Sequence, residues 1–326
     1  MHPDLLVASA RHSELGIAAH DLHIVGPMLT VREPMDALWL SADDLVVAGQ
    51  DQNGRPSVAR IVITDRRPAA SAFLNVGALP CALRVIAGLV FAACYSGGRV
   101  DALAVSPAAD GLVLQGTIDV QARFLTGSRV SSGRQGSSHP HDVVALDDGG
   151  GRALVCDLGA DRLYIIDTRE LRIIDSVELP EGSGPRKALV GPGGVLVVVC
   201  ELDSTIRCFS PAAGQYVQTD WCATTRHSRE GNYPGDLVEP EPGLFVVANR
   251  GRGTLVAFRV NGGHLHRVFE EECGGQWPAS LDAREGRVVV ANEHSGSVVL
   301  FDVSTKGLTM DSRVPWRAPS LVRFAP

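Results

Sequence analysis

His141, Arg186, Glu201 and Arg250 are the residues of this 326-residue chain whose types and spacing most directly suggest chemistry. An arginine presents a planar fork of donors that can hold a carboxylate or phosphate by two parallel hydrogen bonds. A histidine titrates near neutrality and can act as general base or acid. Glu201 can take or give a proton, or orient the histidine, and Asp157 and Glu293 can balance the arginines. Together these residues suit a small anion and the transfer of a proton. The competing reading is a set of structural salt links around a water-filled channel.

These residues lie at matching points of a repeat. Pro34, Pro80, Pro140, Pro185, Pro234, Pro278 and Pro319 follow one another at intervals of 46, 60, 45, 49, 44 and 41 residues. Each opens a short strand-like stretch, a turn, a run of small and β-branched apolar residues ending in a polar residue, and a second apolar strand. Self-similarity at this period marks a repeat architecture. Seven copies of about four strands predict an all-β seven-bladed β-propeller forming one domain over residues 1–326. Val195–Val199 and Val288–Ala291 are continuous apolar runs, as expected of strands buried on both faces. Gly191–Gly194 and Asp147–Gly151 read as turns. The second copy has a longer tail, which accounts for the interval of 60. The last proline leaves room for one strand only. The N-terminal stretches Leu5–Ala10, Ile17–Leu22 and Ile24–Val31 are therefore expected to complete a last blade closed by N- and C-terminal strands, which removes exposed sheet edges.

Aligning the copies gives two rings near one mouth of the expected channel. The residue after each proline is Met35, Cys81, His141, Arg186, Gly235, Ala279 and Ser320. The polar residue ending each second strand is Gln50, Tyr95, Asp157, Glu201, Arg250, Glu293 and, for the last blade, Ala10. A purely structural repeat would tolerate one residue type throughout. Here blades three to five carry His, Arg, Glu and Arg, while the first ring elsewhere is mostly small, so a site centred on those blades with space opposite for a ligand is expected.

Other constellations are weaker. His139 and His141 form an H-x-H pair, but a metal needs at least three ligands and none is expected there. His139 and Trp277, beside their prolines, join Tyr95, Gln50, Asp157 and Glu293 as candidate substrate contacts, although core packing suits Trp277 equally. Gly182-Ser183-Gly184 lacks the helix that a phosphate loop requires. His264 and His266 fit a solvated turn. Ser137-Ser138 beside His139 suggests a hydrolytic serine, yet no G-x-S-x-G context surrounds it.

Composition narrows the classes. A net charge of −7 argues against nucleic acid. Aromatics are only 5% of the chain, so the core must be built from Val, Leu, Ile and Ala. The 35 glycines and 19 prolines suit many tight turns. Seven cysteines, mostly within or beside apolar runs, read as small buried hydrophobes in a reducing compartment. With no signal-peptide pattern and no apolar run of about 18 residues, the expectation is a cytoplasmic protein, not bound to a membrane, a monomer or weak homodimer whose partner is a small anionic molecule.

The stretches HPHDVVALDDGGGRALVCDLGADRLYIID, GSGPRKALVGPGGVLVVVCELDSTI, VVANRGRGTLVAFRV and VVANEHSGSVVLFDV resemble the lactonase-type seven-bladed propellers, which include a bacterial 6-phosphogluconolactonase and the fungal 3-carboxy-cis,cis-muconate cyclase. The resemblance covers nearly the whole chain and is strongest from about residue 139 to 303. It implies a His, an Arg, a Glu and a second Arg at the channel mouth, falling on His141, Arg186, Glu201 and Arg250, with no metal and no organic cofactor. The implied activity is hydrolysis or reversible formation of a lactone, with His141 and Glu201 moving the proton and the arginines holding the anion. Cyclisation, in which a carboxylate adds across a double bond, and ligand or protein binding without catalysis are the alternatives. The chain departs from the family pattern at Ala279, where many relatives carry Arg, and at Cys94, often Asn, which points toward a less highly charged substrate.

Overall fold

The computed structural model describes residues 5–18, 24–25, 31–64, 67–106, 111–123, 133–146 and 151–326. They form seven four-stranded antiparallel sheets, the blades of a seven-bladed β-propeller. The only helical turns among the described residues are the 3-10 segments Gln121–Arg123 and Pro192–Gly194. The latter is the expected Gly191–Gly194 turn, where Gly193 and Gly194 take φ of 74° and 75°. Such left-handed backbone suits glycine. Of the other expected turn, residues 147–150 lie outside the described residues.

Six sheets run in sequence order. The first comprises Arg32–Ser41, Asp44–Gln50, Pro56–Thr64 and Arg67–Asn75. The next five open at Pro80, Pro140, Pro185, Pro234 and Pro278. The seventh has the strand order Leu321–Phe324, Leu5–Ser9, Glu14–Ala18, Ile24–Val25, which joins strands from both ends of the chain as expected. Its third strand starts three residues earlier than the sequence suggested, and residues 19–23 and 26–30 of the expected strands lie outside the described residues.

By packing, the chain divides into two compact units, Met1–Glu181 with Ala325–Pro326, and Gly182–Phe324. Within each, the apolar runs interleave between neighbouring blades. In the first unit Phe91 and Val100 of blade two pack with Val155 and Ile166 of blade three. In the second, Val197 and Val199 of blade four meet Phe245 and Val247 of blade five. Val246 and Leu255 of blade five meet Val288 and Val290 of blade six. These strands are apolar on both faces because both faces are covered. Cys94, Cys156, Cys200, Cys208 and Cys273 are buried, and burial pushes the Cys200 thiol up to about 12.

The opening proline also sets a local irregularity. Pro140 pairs with Asp157 and Asp142 with Cys156, leaving His141 as an extra residue. The same step isolates Cys81, Arg186 and Ala279, and a wider one spans Gly235 and Asp236. Proline cannot donate to the ladder, and a β-bulge at such a point re-aims a side chain. The residue after each of these prolines is therefore presented away from the regular pleat.

Just beyond the bulge, aspartates tie blades together. Asp236 Oδ1 accepts from Leu237 N at 2.9 Å, and its Oδ2 accepts from Leu281 N of the next blade at 2.8 Å. Asp36 does the same with Ala37 N and Leu83 N, and Asp282 with Ala283 N and Phe324 N. Burial by itself pushes the Asp236 carboxyl up. Lys187 at 3.3 Å, Arg323 and the two N–H groups outweigh burial and hold it below its ordinary value. Asp236→Ala should therefore destabilise the protein by about 3–5 kcal/mol, the range for breaking a buried ion pair, as read from urea unfolding at pH 7. Because the folded-state value is lowered, this contribution is complete above the unfolded carboxylate pKa of about 3.9 and fades as pH falls through the folded value. The stability gap between wild type and variant should narrow there. A gap constant from neutral to acid pH would contradict the assignment.

Candidate functional site

In the second unit, Arg186, Glu201 and Arg250 come together. Arg186 is the bulged residue of Pro185–Val190. Glu201 follows Leu196–Cys200, and its N–H donates to Gly184 O at 2.8 Å. Arg250 follows Leu244–Asn249, and its N–H donates to Tyr233 O at 3.2 Å. Glu201 Oε2 accepts from Arg186 Nη1 at 2.6 Å, and Oε1 pairs with Arg250 Nη2 at 2.8 Å. Arg186 Nε donates to Gly235 O at 2.7 Å, and Arg250 Nε to Tyr233 O at 3.0 Å. The glutamate side chain is 3% exposed and the arginines 17% and 13%.

Two guanidiniums thus share one carboxylate, and the cluster keeps an excess of positive charge. Arg186 Nη2 has no hydrogen-bond partner among the described residues. That donor is preorganised for an anion, since Nε and Nη1 fix the plane of the group. Arg250 also lies over Trp277, 5.6 Å from the ring centroid, and Trp277 stacks on His294 at 4.7 Å and 16°. Glu293 is held by its N–H to Trp277 O, 3.0 Å away. Glu201 was expected to work with a histidine on the proton. Here both its oxygens are engaged by arginines.

In the first unit His141 lies 3.8 Å, by Nδ1, from Cys81 Sγ. Tyr95 meets His141 edge-on at 5.4 Å and stacks on His139 at 4.3 Å and 9°. Arg134 donates from Nε to the Tyr95 hydroxyl at 3.2 Å. Gln50 gives its amide to Glu33 Oε2 at 2.6 Å.

The strand register corrects one ring assignment. Asp157 pairs directly with Pro140, as Cys200 pairs with Pro185, Asn249 with Pro234 and Asn292 with Pro278. The true counterpart of Glu201, Arg250 and Glu293 in blade three is Leu158, and Asp157 lies one place earlier. One residue along a strand reverses the facing side. Asp157 is accordingly buried and accepts from Ser138 Oγ, His139 N, Gly159 N and Ala160 N. Burial holds its carboxyl above the ordinary value despite these donors. It fastens the loop before blade three and presents nothing to a ligand.

Two contributors escaped the sequence reading. Tyr233 precedes its proline as Trp277 does, so the position before each proline was the available signal. Gly235 stood in the first ring as a position without a side chain. A Cβ there would lie 2.7 Å from Arg250 Nε and 2.8 Å from its Cδ, so the missing side chain makes room for Arg250. Gly235→Ala should therefore dislodge the Arg250 guanidinium from Tyr233 O. A crystal structure of the variant checks this, and an unmoved Arg250 would refute it.

The sequence pattern of the family described as lactonase, 7-bladed beta-propeller, matches residues 29–324. The chain is 29% identical over 292 residues to a 6-phosphogluconolactonase of Bacillus subtilis, covering 83% of this chain and 81% of that protein. Among solved structures, a Lactobacillus plantarum protein superposes with TM-score 0.85 at 21% identity over the full length of both chains. A periplasmic gluconolactonase of Pseudomonas aeruginosa does so with TM-score 0.84 at 21% identity over 99% of each. With its repeats, its bulged prolines and a match that runs from residue 29 almost to the C-terminus, this chain belongs to the lactonase family of seven-bladed β-propellers.

Proposed function

We propose that this protein is a lactonase that opens the ring ester of a small lactone carrying a carboxylate or phosphate. The observation that carries the reading is the Arg186–Glu201–Arg250 cluster, with two cations on one carboxylate and an unpartnered Arg186 Nη2. The similarity to a 6-phosphogluconolactonase supports a phosphorylated sugar lactone as the first substrate to try.

The chemistry needs an attacking water, a carrier for its proton, and stabilisation of the charge that builds on the carbonyl oxygen. Arg186 and Arg250 hold the anion and offset that charge, an effect that counts most where donors are fixed beforehand. The proton falls to His141, which occupies the same bulge position in blade three as Arg186 does in blade four. His141 takes it from water as the C–O bond forms and returns it to the ring oxygen as the ester bond breaks. Glu201 acts as the positioning residue for both arginines. No step calls for a cofactor.

Steady-state kinetics on 6-phosphogluconolactone and unphosphorylated gluconolactone tests the assignment. His141→Ala should lower kcat by roughly 10²–10⁴-fold, as for other general acid–base groups. Arg186→Ala and Arg250→Ala should raise KM for the phosphorylated lactone more than for the neutral one, and lysine should rescue them poorly because it lacks the planar fork. Glu201→Gln should weaken both arginines together. Folded variants that all keep near wild-type kcat/KM would defeat the reading.

A further inference from the structure

Ser137 and His139, in the loop before blade three, have the geometry of a nucleophile and its base. Ser137 Oγ lies 3.2 Å from His139 Nε2. The other ring nitrogen, Nδ1, lies 3.0 Å from the main-chain carbonyl oxygen of Tyr95. A carbonyl can only accept, so Nδ1 carries the hydrogen. In the neutral ring Nε2 then has the lone pair, and the serine hydroxyl donates to it. The carbonyl thus fixes the tautomer, the part a carboxylate plays in a serine hydrolase triad.

The surroundings hold this pair rigidly. The His139 ring stacks on Tyr95, the main-chain N–H of His139 donates to Asp157 Oδ1 at 2.7 Å, and its main-chain carbonyl accepts from Leu158 N at 3.1 Å. Gly159 packs so closely that a Cβ there would overlap Ser137 O and come within 2.9 Å of His139 Cδ2. Ser138, by contrast, gives its hydroxyl to Asp157 and is buried. Ser137 is half-buried, beside the exposed Gly136. A locked base, a fixed tautomer and a reachable hydroxyl are what an activated serine requires.

We propose that Ser137 is an activated nucleophile with His139 as its base, forming a second, ester-cleaving centre that takes activated esters and passes through an acyl-serine. Ser137 Oγ attacks the ester carbonyl while its proton moves to His139 Nε2. The C–O bond to the leaving alcohol breaks, and His139 returns the proton to that alcohol. Water then attacks the acyl-serine, again giving its proton to His139, and the acid leaves as the serine regains its hydrogen. This centre does not depend on the lactone reading.

Diisopropyl fluorophosphate is the probe, with intact-mass and peptide mass spectrometry as the readout. The folded full-length protein should gain one diisopropylphosphoryl group, on Ser137, with release of fluoride. Ser137→Ala should abolish labelling, and His139→Gln should slow it at least tenfold while the melting temperature stays close to wild type. 4-Nitrophenyl acetate should give a burst near one equivalent, absent in Ser137→Ala. A folded wild type that stays unlabelled, or a label persisting in Ser137→Ala, would overturn the proposal. Labelling needs no lactone. An unlabelled protein that still opens lactones loses this inference alone, and a labelled protein without lactone turnover loses only the other.

Discussion

A carboxylate that bridges one blade to the next is the interaction on which much of this architecture rests. Asp36, Asp236 and Asp282 each accept one N–H from their own strand and one from the innermost strand of the following blade. Apolar packing holds blades together but slides easily, since one Val against another has little directional preference. A carboxylate with two fixed donors permits one stagger only. That stagger decides which residues of adjacent blades lie side by side, so the placing of any site built from several blades depends on it. The arrangement is electrostatically demanding. Burial holds the Asp282 carboxyl above its ordinary value, while at Asp236 Lys187 and Arg323 help reverse the effect of burial.

Much of this was written in the sequence because the repeat is punctuated by proline. Spacing alone gave seven blades, and in blades two, four, five and six the strand register agrees with the ring positions that the period put there, whereas in blade three it does not. There the rule used was chemical, a polar residue at the end of the second strand, and Asp157 satisfied it one residue too early. Only the pairing of Pro140 with Asp157 reveals the slip. Nothing in a single sequence distinguishes an aspartate that ends a strand from a glutamate that follows one. Gly235 shows a different limit. A missing side chain carries no sign of what lies beside it, and only the path of Arg250 shows that the space is taken.

The arginine cluster and the loop before blade three were legible to different degrees for a related reason. Arg186, Glu201 and Arg250 lie on a periodic frame and could be aligned. The pairing of Ser137 with His139 depends on a carbonyl of Tyr95, from a different blade, and on the absence of a Cβ at Gly159. Main-chain atoms carry no residue identity, so a catalytic arrangement that relies on them leaves little trace in residue types.

The bulge after the opening proline has a consequence for how such a protein can change. Cys81, His141, Arg186 and Ala279 are skipped in the pairing registers of their strands. Exchanging the side chain at such a point leaves sheet pairing untouched, whereas the same exchange one residue further on disturbs an aspartate bridge or a strand contact. These four blades therefore each offer one position whose side chain can change without altering the strand register. A lineage can rewrite its chemical repertoire at these positions one blade at a time without re-registering a strand.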